Sequence, residues 1–256
     1  MFKEAIWVSM EGMMKKLVLI LIALLALSAY ITHAQNLEFP YTEDEIYEYA
    51  GFSLVYSEEH EQALWVAYHL TEEEALGEFP RRNNFREDPI ITTGSASLND
   101  YKGTGYDRGH LAPAGDMKWS KEAMSDSFYM TNMSPQLPGF NRDIWKELEA
   151  LVRRWSIENK DLYIITGPIL QDGPYETIGE NEVSIPKRYY KVILDYTEPD
   201  IKMIAFILPN EKSDVPLYAF AVTVDTVEYI TGLDFFYLLE DELEEDLEGQ
   251  AHYFAW

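Results

Sequence analysis

The stretch from Asp143 to about Glu158 is the clearest helix in this sequence, and it constrains the fold more than any other segment. Its apolar residues recur at spacings of i, i+3 and i+4, the pattern of one buried helix face. They are Ile144, Trp145, Leu148, Leu151, Val152 and Trp155. Either Asn141 or Asp143 is a candidate N-cap for this helix. Strand-like segments lie on both sides of it, so the pattern predicts a mixed α+β fold.

Segments rich in β-branched and aromatic residues are predicted as strands. They cover residues 63–70, 127–131, 162–166, 189–194, 201–208 and 217–224. Residues 225–228, Asp-Thr-Val-Glu, are typical of a capping box at a helix start. The acidic run at residues 240–248 is typical of a solvated helix face. The sequence contains no evident repeat or low-complexity block, and a single α+β domain is therefore predicted.

The N-terminal residues have the layout of a secretory signal peptide. Lys15 and Lys16 precede the apolar run 17–29, and Thr32 and Ala34 are small residues at the expected cleavage site. We expect a signal peptide at residues 1–34, with Met13 or Met14 as alternative starts, and a mature domain at residues 35–256. An uncleaved anchor is the alternative, but the run is shorter than the ~20 residues that span a membrane. A secreted or periplasmic protein without stable membrane association is expected.

The chain contains no cysteine. This absence excludes thiol nucleophiles and cysteine-ligated zinc as the basis of any activity. It also requires the core of a secreted protein to be stable without disulfides, which a domain of this size can achieve.

The net charge of −25 is unusual for an enzyme acting on nucleic acid, because a negative surface repels a polyanion. The charge is unevenly distributed. Residues 80–160 contain 12 Lys and Arg against 11 Asp and Glu, a net charge of +1. Residues 1–79 carry −11 and residues 161–256 carry −15. The middle third is thus the part best suited to bind a phosphate, and a metal ion would add positive charge there.

Two motifs in this middle third carry residues suited to phosphate chemistry. Residues 105–114 read Gly-Tyr-Asp-Arg-Gly-His-Leu-Ala-Pro-Ala, and residues 129–145 contain Thr-Asn-Met-Ser-Pro-Gln followed by Pro-Gly-Phe-Asn-Arg-Asp. A neutral histidine accepts a proton near neutral pH, and an asparagine oxygen is a ligand for a hard divalent cation. Arginine matches the geometry of phosphate oxygens. Phosphodiester hydrolysis requires an activated water, neutralisation of the growing charge and stabilisation of the leaving oxygen, and these residue types can supply them.

The two motifs resemble the DNA/RNA non-specific endonuclease family, the His-Me-finger nucleases. The resemblance covers roughly residues 60–235, and its specific part is 104–149. It implies a single α+β domain with a mainly antiparallel central sheet flanked by helices and a ββα-metal active-site element. It also implies a metal-dependent endonuclease that cleaves DNA and RNA with little sequence preference and leaves 5′-phosphate ends. The expected cofactor is Mg²⁺, with Mn²⁺ as an alternative. A homodimer and a monomer both remain open.

The resemblance assigns roles to four residues around the expected metal. His110 is the expected general base, and Asn141, 31 residues later, is the expected metal ligand. Glu149 is expected to hold a metal-bound water, and Asn132 to orient the base and the active-site waters. Structural roles remain open for three of them: a carbonyl-bonded His110, an N-capping Asn141 and a turn-forming Asn132.

Arginines are expected to bind the phosphate. Arg108 is expected at the scissile phosphate, with Asp107 as a salt-bridge partner that holds it. A second arginine is expected from Arg81, Arg82 and Arg86; Arg81 is favoured, and Arg86 is retained as a second substrate-binding residue.

Two other functions remain open at this point. One is a catalytically silent secreted binding module of the same fold, which the acidic charge favours. The other is a phosphodiesterase for small nucleotides, which would not need a long basic groove.

Overall fold

The computed structural model of the protein describes residues 37–256. The predicted signal peptide lies outside the described residues and stays a prediction. Within the described part of the chain, no helix is long and apolar enough to cross a membrane.

The centre of the fold is a seven-stranded sheet in which every neighbouring pair of strands is antiparallel. Its strands, in spatial order, are β1 (Ile46–Glu48), β2 (Ser53–Ser57), β3 (Gln62–Thr71), β6 (Asp161–Pro168), β9 (Arg188–Asp195), β10 (Lys202–Pro209) and β11 (Ala221–Val222). Two separate two-stranded antiparallel sheets lie outside it. One pairs β4 (Asp107–His110) with β5 (Met133–Gln136), and the other pairs β7 (Thr177–Ile178) with β8 (Val183–Ser184).

Six α-helices lie in the described residues. They are α1 (Glu72–Ala75), α2 (Leu98–Tyr101), α3 (Lys121–Asp126), α4 (Lys146–Asn159), α5 (Val224–Thr231) and α6 (Asp241–Glu248). A π-helical turn, Phe140–Trp145, leads directly into α4. The predicted α+β fold with a mainly antiparallel sheet is confirmed.

Helix α4 packs its predicted apolar face against the sheet. Leu148 and Trp155 are buried in the main core, and the Trp155 ring lies 6.2 Å from Phe206 on β10. Trp145 is fully buried, 5.8 Å from the Tyr189 ring on β9. Each such large apolar side chain contributes roughly 1.5–3 kcal/mol on burial. This packing holds the start of α4 against the sheet, close to the residues of the two motifs.

Two predicted strands are wrong. Residues 127–131 follow α3 as a turn, and the strand begins only at Met133. Residues 217–224 form a short 3₁₀ turn after Pro216 and pair with β10 only at Ala221–Val222. Pro216 has a fixed φ and no N–H donor, so it favours a turn over a paired strand at this point.

The two C-terminal helices also differ from the expectation. Helix α5 begins at Val224, capped by the Thr223 hydroxyl, which accepts from the Thr226 amide at 3.2 Å; the predicted capping box at residues 225–228 therefore lies inside the helix. The acidic run forms α6, but Glu248 is buried, so the run is not wholly a solvated face.

Candidate active site

Strands β4 and β5, with helix α3 in the connection between them, are followed by helix α4 and together form a ββα unit. His110 is the last residue of β4 and pairs with Met133, while Gly109 pairs with Ser134. A Cβ atom on Gly109 would lie 2.1 Å from the Gln136 side chain. Only glycine leaves room here for the buried Gln136 side chain, which accounts for the Gly before the histidine.

The His110 side chain is buried and has an apolar setting. Its ring meets Phe85 and Phe128 edge-on, with centroids 5.7 and 4.9 Å away. Its Nε2 has no hydrogen-bond partner among the described residues. Burial, followed by the charges of Arg81 and Arg108, lowers the pKa of His110 to about 3. The imidazole is therefore neutral at neutral pH and keeps a lone pair to accept a proton.

Asn132 is fully buried behind the histidine. Its Nδ2 donates to the carbonyls of Ala112 and Ser127, both at 2.9 Å, and its Oδ1 accepts from the Ala112 amide at 2.9 Å. The backbone amide of Leu111 also donates to the Asn132 carbonyl. These bonds fix the two residues that follow His110, and Asn132 itself is not among the residues that line the cavity described below.

Asn141 lies inside the π-helical turn. This turn begins after Gly139, so the predicted N-cap role of Asn141 or Asp143 is wrong. The Asn141 Nδ2 donates to Asp107 Oδ2 at 3.0 Å. That bond occupies the amide nitrogen and leaves the carbonyl oxygen Oδ1 as the atom available to a ligand.

Asp107 pairs with Arg142 rather than with Arg108, which corrects the predicted salt bridge. Arg142 donates from Nε and Nη2 to the two carboxylate oxygens at 2.8 and 2.6 Å. Burial raises the pKa of Asp107, but the bonds from Arg142 and Asn141 outweigh burial and hold it below its ordinary value. Adjacent strand residues point to opposite faces, and Arg108 stacks over the Phe85 ring at 4.2 Å instead.

A cavity of about 550 Å³ brings most of the predicted residues together. His110, Asn141 and Glu149 line it with five cationic side chains. Those five are Arg81, Arg108, Arg142, Lys146 and Arg153. So dense a group of cations around a neutral base and a free amide oxygen suits a ligand that carries several negative charges.

The structure separates the three arginines that the sequence left undecided. Arg81 lines the cavity, with its guanidinium 4.9 Å from the Phe128 ring. Arg86 donates to the Ser125 carbonyl at 2.7 Å and stacks over Tyr129 at 3.6 Å. Neither Arg86 nor Arg82 is among the residues that line this cavity.

Comparison with known proteins agrees with this geometry. A sequence model of the DNA/RNA non-specific endonucleases matches residues 32–242. The chain belongs to the DNA/RNA non-specific endonuclease family. Human mitochondrial endonuclease G is 36% identical over 199 residues, which cover 72% of this chain and 67% of that protein. Nuclease C1 of Cunninghamella echinulata var. echinulata is 37% identical over 225 residues, covering 81% and 89%.

A solved structure supports the same assignment. A chain of the EndoG/EndoGI complex matches with a TM-score of 0.73 and 34% identity, covering 79% of this chain and 89% of that chain. This protein is thus a nuclease, a phosphodiester hydrolase with nucleic acid as substrate. Membership of the family also indicates a divalent metal cofactor.

The sequence analysis did not predict the buried lysine, Lys191, whose charge acts on Glu149 in this nuclease. Burial raises the pKa of Glu149 to about 7, and Lys191 on β9 opposes the effect. Lys191 is fully buried, with its Nζ 5.1 Å from the Trp145 ring and without a hydrogen-bond partner among the described residues. Burial lowers the pKa of Lys191 to about 8, which Glu149 opposes. The sequence signal that could have predicted this buried charge is a lysine within the otherwise apolar strand at residues 189–194.

Arg153 and Asp116 were also missed. Arg153 Nε donates to the buried Asp116 at 2.6 Å, and the Tyr68 hydroxyl donates to the other carboxylate oxygen at 2.9 Å. A Cβ atom on Gly115 would lie 2.3 Å from the Arg153 guanidinium. Arg153 lies four residues after Glu149 and so on the same helix face, a spacing that could have predicted it.

Proposed function

We propose that this nuclease hydrolyses phosphodiester bonds of both DNA and RNA, with His110 as general base and a divalent ion, Mg²⁺ or alternatively Mn²⁺, on Asn141. The observation that carries the proposal is the shared cavity. It combines a neutral, unbonded imidazole with an oriented amide oxygen among five cations.

The residues present fit a hard divalent cation. Asp107 orients the Asn141 amide, so that an oxygen rather than a nitrogen is available, and Mg²⁺ takes few protein oxygens while keeping most of its waters. Glu149 lines the same cavity and would hold one of these waters. A bound ion would supply Lewis-acid stabilisation of the phosphoryl and leaving oxygens.

His110 takes the proton from the water that attacks phosphorus. Arg108 and Arg81 contact the scissile phosphate and neutralise the charge that grows on it. These two arginines lower the pKa of His110 in the free enzyme. When the phosphate binds, its negative charge offsets theirs and raises the basicity of the imidazole. Burial, the largest cause of the low pKa of His110, is not removed by the phosphate, so this increase is partial.

A second depression adjoins the catalytic cavity. This groove, of about 620 Å³, shares Arg142 and Lys146 with the catalytic cavity and continues to Lys212. The groove adds one cation, Lys212, and three carboxylates, Asp143, Glu147 and Asp214, so its charge alone does not favour a polymer. Contacts to phosphate and sugar carry no base code, so little sequence preference is expected.

A plasmid digest tests the proposal. The wild type should linearise and degrade plasmid with Mg²⁺ and should be inactive in EDTA. His110→Ala should lose about 10²–10⁴-fold in rate, whereas His252→Ala, an exposed histidine, should retain wild-type activity. Cleavage of bis-p-nitrophenyl phosphate with intact plasmid would favour the small-nucleotide enzyme. A wild type inactive on both substrates would favour the silent binding module.

Export is proposed from the sequence pattern of residues 1–34, with residues 35–256 as the mature nuclease domain. Two of the relatives, human endonuclease G and a nuclease of Saccharomyces cerevisiae, are mitochondrial proteins, so location is a separate question. N-terminal sequencing of protein recovered from the medium or periplasm should begin near Gln35. Recovery of a full-length chain from the cell interior would contradict export. Sedimentation of the same material distinguishes a homodimer from a monomer.

A further inference from the structure

Three carboxylates on the last two helices lie outside the nuclease site. Asp225 and Glu228 are one turn apart on α5, and Glu248 is the last residue of α6. Ligand oxygens of the three lie within 4.8 Å of one another. We call these three residues the acidic cluster.

The buried member of the acidic cluster has an unsatisfied oxygen. Glu248 is 7% exposed, and its Oε1 has no hydrogen-bond partner among the described residues. Glu228 is partly satisfied, because its Oε1 accepts from the Phe235 amide at 2.7 Å. An ionised carboxylate that is removed from water without a partner is strongly disfavoured. The Glu228 side chain also hydrogen-bonds Glu248, so either a proton or a bound cation must offset the charge of this pair.

The surrounding charges make this need greater. Burial and then the negative charges of Glu228, Glu244, Asp225 and Asp234 raise the pKa of Glu248 to about 9. Glu248 also lies at the C-terminal end of α6, where the helix dipole is negative and favours a cation. A bound cation or a proton would relieve the repulsion.

We propose that the acidic cluster is a Ca²⁺ site that joins α5 to α6. All three donors are carboxylates, the ligands of hard cations, and Ca²⁺ accepts several of them, whereas Mg²⁺ usually binds one or two. Oxygens on opposite sides of a Ca²⁺ ion are about 5 Å apart, so the observed spacing fits one coordination sphere. Both helices pack against β10, and a shared ion would tie them to the sheet.

The test uses the full chain in an Asn141→Ala background, which removes the proposed catalytic metal ligand. After treatment with EDTA and desalting, CaCl₂ is added in calorimetric titration and in thermal unfolding. One Ca²⁺ should bind per chain. The Tm should rise by about 5 °C or more once Ca²⁺ exceeds its Kd a hundredfold.

Two further substitutions in this background decide the assignment. Glu248→Gln should abolish both the binding and the Tm increase, and Asp246→Asn, which removes an exposed carboxylate of the same helix, should retain them. Circular dichroism in EDTA checks that each variant folds. Equal responses of the two variants, or no response of the parent, would overturn the proposal. A parent stabilised by lower pH but not by Ca²⁺ would mean that a proton occupies the cluster.

Discussion

The catalytic cavity and the acidic cluster handle buried charge in opposite ways. In the cavity, five cationic side chains surround one neutral histidine and one carboxylate, Glu149. In the acidic cluster, Asp225, Glu228 and Glu248 converge, and the strongest charges acting on Glu248 are all negative. The charges of the cavity therefore suit an anionic group such as a phosphate, and those of the acidic cluster suit a cation.

The difference teaches that net charge is a poor guide to what a surface binds. The chain carries −25 overall, yet its nuclease site presents five cations within one cavity. Arg153 pairs with Asp116 and Lys191 opposes the charge of Glu149, while Arg142 pairs with Asp107. Arg81 and Arg108 are the two cavity arginines proposed to contact the phosphate. Local pairing, rather than total charge, decides the electrostatic character of the site.

Among the charged groups of the two sites, the largest effect is expected from removing a cavity cation. Arg108→Ala should lower the rate of plasmid cleavage about 10²–10³-fold, since one preformed donor to the transition-state charge is lost. Arg154→Ala is the matched control, because Arg154 is exposed on the same helix as the cavity residues and pairs only weakly with Glu158 at 3.8 Å. A loss of less than threefold in Arg108→Ala would contradict its role.

A smaller loss is expected from Asp107→Asn. This change removes the carboxylate that orients Asn141 and holds Arg142, and the affinity for Mg²⁺ should fall about 10–100-fold. Activity measured against Mg²⁺ concentration should shift accordingly and recover at high Mg²⁺. Asp143→Asn, at an exposed neighbouring position, should not shift the curve. An unrecovered loss at saturating Mg²⁺ would show that Asp107 does not act through the metal.

The pH profile distinguishes the two titrating groups of the cavity. Glu149, whose pKa is raised to about 7, should set the acid limb, because kcat/KM falls as its carboxylate is protonated. Between pH 7.5 and 5.5 the loss should exceed about tenfold. His110, with its pKa lowered to about 3, stays neutral throughout this range. Glu149→Gln should therefore flatten the limb. A limb that persists near pH 6.5 in this variant would mean that His110 titrates normally.

The smallest effect concerns stability in the acidic cluster. The pKa of Glu248 is raised in the folded state, so its carboxylate destabilises the fold at high pH, and stability returns as pH falls below about 9. In Ca²⁺-free buffer at pH 8, Glu248→Gln should be about 1–2 kcal/mol more stable than wild type. Denaturant unfolding from pH 9 to 6 should show this difference shrinking. A difference that is constant with pH would exclude titration of Glu248.

Local sequence patterns predicted the parts of the protein that depend on neighbouring residues. The apolar spacing of residues 143–158 predicted the helix. The two motifs indicated that His110 and Asn141 belong to one site, and both line the same cavity. Such patterns can be read from residues close together in the sequence. The predicted strands at residues 127–131 and 217–224 were wrong because residue composition cannot show whether a partner strand is available.

Tertiary structure decided which charges meet. Asp107 reaches Arg142 rather than Arg108, and Arg86 is held by Ser125 away from the cavity. The charge of the buried Lys191 acts on Glu149, and Glu248 is buried in a run that alone predicts a solvated face. These outcomes depend on burial and on contacts between residues far apart in the chain, which arise only when the sheet and its helices pack. The sequence by itself determined the fold class and the side chains available at the candidate site. Packing determined which hydrogen-bond and ion-pair partners those side chains have and how their pKa values shift.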